Sequence, residues 1–174
     1  MRLETDRLVI RTFSEGDLAD FAKLLDIPEV GGWQQQRSNP RRFLDWHISN
    51  YLAMDIVRGI VCLGVFDKSN GAILGAAGAG EHDDLHETEV FFSLIPAARG
   101  SGYAREAAAA VTEWALAGYD IPYLIATVAV GNSASQKVVS GCGYALVDER
   151  VLLVHVSGRS ERFRYYRRYR RPEG

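Results

Sequence analysis

The spacing of apolar residues changes along the chain, and each change predicts an element. Leu8-Val9-Ile10 is a short, mostly β-branched run that predicts a strand. It leads into Ser14-Glu15-Gly16-Asp17, where Ser14 can cap a helix and Asp17 can favour its positive end; Leu18, Phe21, Leu24 and Leu25 then recur at helical spacing. Asn39 before Pro40 marks a second helix start, with Leu44, Ile48, Tyr51 and Leu52 expected on one face. The stretch before it, PEVGGWQQQRS, reads as a mobile loop. Residues 60–66 and 72–77 are apolar runs joined by DKSNG, whose Asn-Gly step predicts a hairpin. After the polar, turn-like GEHDDLHETEV comes another apolar run at 90–95. From Tyr103 the residues Ala104, Ala107, Ala108, Val111 and Ala115 form the small-residue face of a helix that Gly118 can stop. Residues 123–130 read as a buried strand, Asn132 can cap a short helix that ends in SGCGY, and strand candidates at 144–156, with breaks, and 162–169 close the chain.

This order, β-α-α-β-β-β-α-β-α-β-β, predicts a mixed α/β fold. The strand-helix-strand unit from 90 to 130 is a crossover, so its two strands should be parallel neighbours. Neither repeats nor a linker is evident, and 174 residues with 47 % hydrophobic content fit a single domain over 1–174. A net charge of -2 argues against bulk attraction to nucleic acid, although RFRYYRRYRR near the end is locally basic. Its arginines alternate with Phe163, Tyr165 and Tyr169 as on a strand with one polar face, and RNA contact is the alternative reading. Cys62 and Cys142 are too few for a disulfide framework and read as reduced thiols of a cytoplasmic protein. The opening MRLETDRLVIR lacks the uninterrupted apolar core of a signal peptide, and no apolar run is long enough to span a membrane.

The stretch with the most chemistry is RGSGYAREA, residues 99–107, where a strand-like run passes through two glycines into a helix. The first N–H groups of such a helix lack intrahelical partners and favour an anion, a phosphate above all. Gly100 and Gly102 would let a ligand approach the backbone, and Arg99 adds positive charge. A plain strand-to-helix turn is the alternative. Two nucleotide motifs fail here: the only lysines are Lys23, Lys68 and Lys137, which excludes a P-loop, and Arg105 stands where the dinucleotide fingerprint needs its third glycine.

Arg99-Gly100-Ser101-Gly102-Tyr103-Ala104 resembles the coenzyme A motif of the GNAT N-acetyltransferases, Gln/Arg-x-x-Gly-x-Gly/Ala. LETDRLVIRTFSEGD and NSASQKVVSGCGY are similar to segments of the branch that holds the Rim-type ribosomal-protein N-terminal acetyltransferases, so the resemblance runs from Leu3 to about Tyr169. It implies a central mixed sheet of about six or seven strands flanked by about four helices. It also implies acetyl-CoA bound where two parallel strands splay, and direct acetyl transfer to an amine without an acyl-enzyme. Ser93 and Leu94 would lie along the pantetheine arm, residues 99–104 would hold the phosphates, and Asn132 and Ser135 would face the cofactor from one helix start. One departure is Val139, which stands where many members carry a tyrosine that protonates the leaving thiolate.

An amine is mostly protonated near neutral pH, so a base should help. Glu89 is the first candidate and Glu87, on the same face of an extended strand, the reserve; a simple ion pair is the other reading of Glu89. Ser135 is the candidate near sulfur, with Asn132 bonding the pantetheine amide, or else merely capping the helix. Neither cysteine has a neighbouring histidine in sequence, which leaves no nucleophile pair. EHDDLHE, with His82 and His86, reads as a solvated acidic loop able to attract a cationic acceptor, and a metal site is not expected. Trp33 and three glutamines beside it suit a peptide-like or small polar amine as partner; a homodimer is left open. A non-catalytic acyl-CoA sensor and an RNA-associated module are the competing classes.

Overall fold

A computed structural model describes residues 1–27, 38–155 and 157–171. The loop expected to be mobile, with Trp33, falls at 28–37, outside the described residues. Eight strands form one sheet: β1 (Arg2–Glu4), β2 (Leu8–Thr12), β3 (Ile60–Asp67), β4 (Ile73–Glu81), β5 (Thr88–Leu94), β6 (Tyr123–Ala129), β7 (Ala145–Val154) and β8 (Arg159–Tyr169). Their spatial order is β1-β2-β3-β4-β5-β6-β8-β7. The helices are α1 (Leu18–Leu25), α2 (Pro40–Asn50), α3 (Tyr103–Gly118) and α4 (Ser133–Gly141). The sheet thus has one strand more than expected. The addition is β1, whose three residues, two of them charged, carry no apolar run; it is held by pairing Arg2 with Arg11 and Glu4 with Val9.

Every neighbouring pair is antiparallel except β5 and β6, the predicted crossover, which are parallel and register only at Glu89 opposite Ile125. On its other side β5 pairs with β4 along its whole length, from Thr88 opposite Glu81 to Leu94 opposite Gly75. β6 likewise pairs with β8 from Tyr123 to Ala129. The two parallel strands are therefore held from outside and part beyond Glu89.

Two apolar clusters form the core. In one, Ala107, Ala108, Val111 and Ala115 of α3 pack against Leu63, Val65, Ala77, Ala79, Val90 and Leu124 of the sheet. The small helix face allows a close approach to the sheet. Thr112, buried within α3, is satisfied by donating to the Ala108 carbonyl at 2.7 Å and by bonding the Tyr144 hydroxyl at 2.9 Å. The second cluster joins Val9, Phe13, Cys62 and Phe66 to Phe21, Leu24 and Leu25 of α1 and Leu44 of α2. Leu52, expected on the same face as Leu44, is 92 % exposed, because α2 ends at Asn50 and the helical spacing no longer applies.

The chain is punctuated as the sequence implies. Asn39 Oδ1 accepts from the Arg42 N–H at 3.0 Å at the start of α2. Gly143, with φ +84, closes α4: its N–H bonds the Ser140 carbonyl while the Tyr144 N–H bonds that of Val139. Asp17 does more than complement a helix end. Its carboxylate accepts from the Ser14 N–H and hydroxyl and from both terminal nitrogens of Arg11, at 2.7 to 2.8 Å. The Arg11 guanidinium thereby holds its pKa down at about 2. A carboxylate with a depressed folded pKa stabilises the fold above its unfolded value and loses that contribution as pH falls through the folded one, here from pH ~4 towards ~2. Asp17→Asn should lower the melting temperature by several degrees at neutral pH, and the difference from the wild type should vanish at the acid end of a series of thermal melts.

Candidate active site

The N-terminus of α3 is the end of the molecule best prepared for an anion. β5 ends at Leu94, and a 3-10 turn over Pro96–Ala98, not foreseen from the sequence, carries the chain to Arg99. Arg99 Nε donates to the Leu94 carbonyl at 3.0 Å, which anchors an exposed guanidinium beside the end of the strand. Gly100 and Gly102 have φ of +80 and +82, in the left-handed region open mainly to glycine. A side chain at Gly100 would meet nothing within the protein, so inside the chain it is the left-handed backbone that requires a glycine there. Whereas α2 and α4 are capped by Asn39 and Asn132, no side chain caps α3. Its first N–H groups remain open to a phosphate.

A clasp that the sequence reading missed holds this turn. Arg7 donates through Nη1 to the Ser101 carbonyl at 2.9 Å and pairs through Nη2 with Glu106 at 2.7 Å, while its guanidinium lies 4.4 Å from the Tyr103 ring centre. Glu106 also accepts from the Thr5 hydroxyl at 2.5 Å and the Arg7 N–H at 2.9 Å. Burial pushes the Glu106 pKa up, but these bonds from Thr5 and Arg7 outweigh it and leave the carboxyl below its ordinary value. The available signal was an acid in the first turn of α3; nothing in the sequence pointed to its partner a hundred positions away.

Glu89 sits where β5 and β6 part. Its Oε1 accepts two bonds from Thr127 of β6, from the N–H at 2.8 Å and the hydroxyl at 2.6 Å. It is therefore not the ion pair of the alternative reading. Burial raises its pKa, and the Thr127 bonds only partly oppose this. Glu87 has the opposite setting. It lies just before β5 and accepts from the hydroxyls of Tyr123 (2.8 Å) and Tyr165 (2.7 Å) and from Arg167 (2.9 Å). Although burial opposes them, these bonds lower its pKa, so Glu87 is a fixed anion and a poor reserve base.

At the start of α4, Asn132 Oδ1 accepts from the Ser135 N–H at 3.0 Å, the capping role given as its alternative, and its amide group is exposed. Ser135 lies half-buried one turn on. Along β5, Ser93 is half-buried and Leu94 buried. Val139 is buried and supplies no proton donor. Cys62 is fully buried in β3, and Cys142 donates its thiol to the Arg105 carbonyl at 3.4 Å. Burial raises both thiol pKa values, so neither is an activated nucleophile.

The profile of the Acetyltransferase (GNAT) domain matches residues 7–145. The chain belongs to the GNAT acetyltransferases. Solved structures of the same fold include a GNAT-family acetyltransferase from Bacillus anthracis, 18 % identical with a TM-score of 0.78 over 98 % of this chain and 99 % of that one. A ribosomal-protein-S5-alanine acetyltransferase from Vibrio fischeri is 16 % identical, with a TM-score of 0.73 over 99 % and 98 %. A spermidine N-acetyltransferase from Vibrio cholerae, solved with CoA and spermine, is 17 % identical with 0.74 over 95 % and 97 %. At such identities the likeness speaks for the fold alone. A search among curated proteins gave no match.

Acetyl-CoA is the acyl donor of GNAT enzymes, and the residues present fit it: an uncapped helix end for the phosphates, and parted strands with unpaired backbone groups for the pantetheine arm. Around this GNAT site the other charged groups are compensated. His86 pairs with Glu81 at 2.9 Å, His155 with Asp84 at 3.1 Å, and His82 Nδ1 accepts from the Asp84 N–H. Among the described residues no group of three or more His, Cys, Asp or Glu could hold a metal. Arginines of the basic segment are paired one by one: Arg162 with Glu149, Arg164 with Gln136, Arg167 with Glu87, Arg168 with Glu113 and Arg170 with Asp120. On the helical side His47 is a core residue, packed 4.5 Å from the Phe43 ring and driven by burial to a pKa of about 4, while Trp46 is 46 % exposed. No helix among the described residues is long and apolar enough to cross a membrane.

Gly102→Glu should abolish CoA binding, since it strains a backbone at φ +82 and sets a carboxylate at the helix end. Loss of the thermal shift given by CoA checks this. Cys62→Ala and Cys142→Ala should keep turnover within about twofold of the wild type in a thiol-release assay, since burial disfavours the thiolate at both positions.

Proposed function

We propose that this protein is an N-acetyltransferase that moves an acetyl group to a primary amine by direct attack. The observation that carries the reading is Glu89, a carboxylate of raised pKa held by Thr127 where the parallel strands part, on the strand that leads to the uncapped end of α3. Acetyl-CoA, when bound, supplies the acetyl group as an activated thioester. Arg99, Gly100, Ser101, Gly102, Tyr103 and Ala104 hold its phosphates, Ser93 and Leu94 line its arm, and the exposed amide of Asn132 donates to it. Glu89 accepts the proton of the attacking amine, directly or through one water, as the C–N bond forms and the C–S bond breaks. Ser135, or water, returns a proton to the leaving thiolate. With Thr127 occupying Oε1, Oε2 is left for the amine.

The acceptor we favour is the α-amine of a protein or peptide N-terminus, in line with the fold shared with the ribosomal-protein acetyltransferase and with the segments that resemble the Rim-type branch. A small cationic amine is the second reading, favoured by the acidic loop with Asp83 and Asp84 before β5. The reaction is placed in the cytoplasm, where both cysteines stay reduced. A thiol-release screen of N-terminal peptides against free amines, with acetyl-CoA, separates the two. Activity on small amines alone rejects the protein acceptor, and tight CoA binding without any thiol release makes the protein a sensor.

Glu89→Gln should lower kcat by roughly 10²-fold or more with little change in the KM for acetyl-CoA, as removal of a general base does. Turnover of the wild type should fall as pH drops through the raised Glu89 pKa, and the variant should lose this limb. Thr127→Val removes one bond to the charged carboxylate, so its acid limb should move to higher pH. An unmoved limb would exclude Glu89 as the titrating group.

A further inference from the structure

The transfer reaction leaves a cavity of about 480 Å³ unused, where α3, the end of α4 and the last residues of β8 meet. Ala109 of α3, Gly141 and Gly143 at the turn that closes α4, and Ala145 at the start of β7 line it, and none of them has a side chain long enough to fill the space. Ala109 stands six residues beyond Tyr103, so the cavity opens about 9 Å along α3 from the helix start that faces the cofactor phosphates. A space of this size suits a small molecule.

Arginines converge on it. A Cβ at Gly141 would stand 3.1 Å from Arg105 Nε, and one at Gly143 would stand 3.7 Å from Arg168 Nε, so an arginine is laid over each glycine of the turn. Burial raises the pKa of the Cys142 thiol between those glycines, and the Arg105 and Arg168 guanidiniums both oppose it, which puts the two charges near one atom. Arg171 lines the cavity as a third cation; it and Arg105 are exposed, and neither side chain has a partner among the described residues. Arg168 pairs with Glu113, the one acid in the wall. Arg167 also lines the cavity, but its guanidinium is committed to Glu87 and Tyr165. Three guanidiniums therefore face one carboxylate, in a chain whose net charge is -2. A cleft with such an excess concentrates anions. We infer that this cavity is a second anion site, separate from that of acetyl-CoA, for a small molecule that carries a phosphate or pyrophosphate group. The planar fork of a guanidinium matches phosphate oxygens, and the two charges left over by Glu113 match a group that bears about two negative charges near neutral pH.

Calorimetric titration of inorganic pyrophosphate, without magnesium, into the protein saturated with CoA tests the site, because CoA then occupies the start of α3. Saturable binding of one pyrophosphate per chain is expected. Arg171→Glu should weaken it about tenfold or more, as loss of a charged contact does. Glu113→Gln, which releases Arg168, should tighten it. Arg162→Glu makes the same change of net charge at an arginine outside the cavity and should leave the affinity as it is. Absence of saturable binding to the CoA-bound protein, or equal weakening by Arg171→Glu and Arg162→Glu, overturns the site. Binding that CoA abolishes overturns it too, since the probe would then be held at the end of α3.

Discussion

The parting of β5 and β6 is the constraint on which the rest of the molecule depends. A parallel pair left to itself would continue its ladder, because unpaired backbone groups in a protein interior are costly. Here it cannot: β5 is bound to β4 from Thr88 to Leu94 and β6 to β8 from Tyr123 to Ala129, so each strand follows its outer neighbour and the gap is imposed from both sides. Both helices that follow these strands, α3 and α4, begin at the open end. The donor and acceptor groups missing from the ladder are thus gathered at one place with two helix starts, a setting ready for a long ligand that has amides at one end and phosphates at the other.

Two carboxylates two residues apart illustrate how position within this frame sets chemistry. Glu87 lies among Tyr123, Tyr165, Arg167 and, at 3.8 Å, Arg150, and its charge is permanently satisfied. Arg150 stacks 3.5 Å from the Tyr165 ring centre, so this cluster fastens β7 and β8 to the start of β5. Glu89 faces only Thr127 with its bonded oxygen, and pays for its place in the cleft with a raised pKa. A carboxylate that burial makes costly to ionise in the folded state lowers stability, a cost of the kind that active sites carry.

Much of this was legible in the chain. α3 was bounded at Tyr103 and Gly118 because alanines at helical spacing and glycines at both ends agree. The crossover, the hairpin and the cap at Asn39 followed from local chemistry in the same way. What escaped was long-range or too short to be periodic. β1 has no apolar run and exists because β2 offers it an edge. Leu52 continued a spacing that the helix did not. Thr127 and Arg7 look unremarkable where they stand, and they matter through Glu89 and through Ser101 and Glu106, partners on other elements that one sequence does not connect. For Gly100 and Gly102 the backbone angles add a requirement that the sequence did not show, a left-handed conformation that favours glycine.

The order of strands also bears on how the chain is made. β8 leaves the ribosome after β7 yet lies between β7 and β6. Until residues 159–169 have emerged, β7 has no neighbour on either side, and the outer edge of β6 is open as well. A nascent chain carrying everything through Val154 can complete the clasp of Arg7 on Glu106 and much of the first five strands, but the pairing of β6 and β7 with β8 must wait. During that interval the apolar residues of β7 are exposed on a flexible segment, the kind of surface that chaperones bind and proteases cut. Late insertion of one internal strand makes the interval before β8 emerges the vulnerable one.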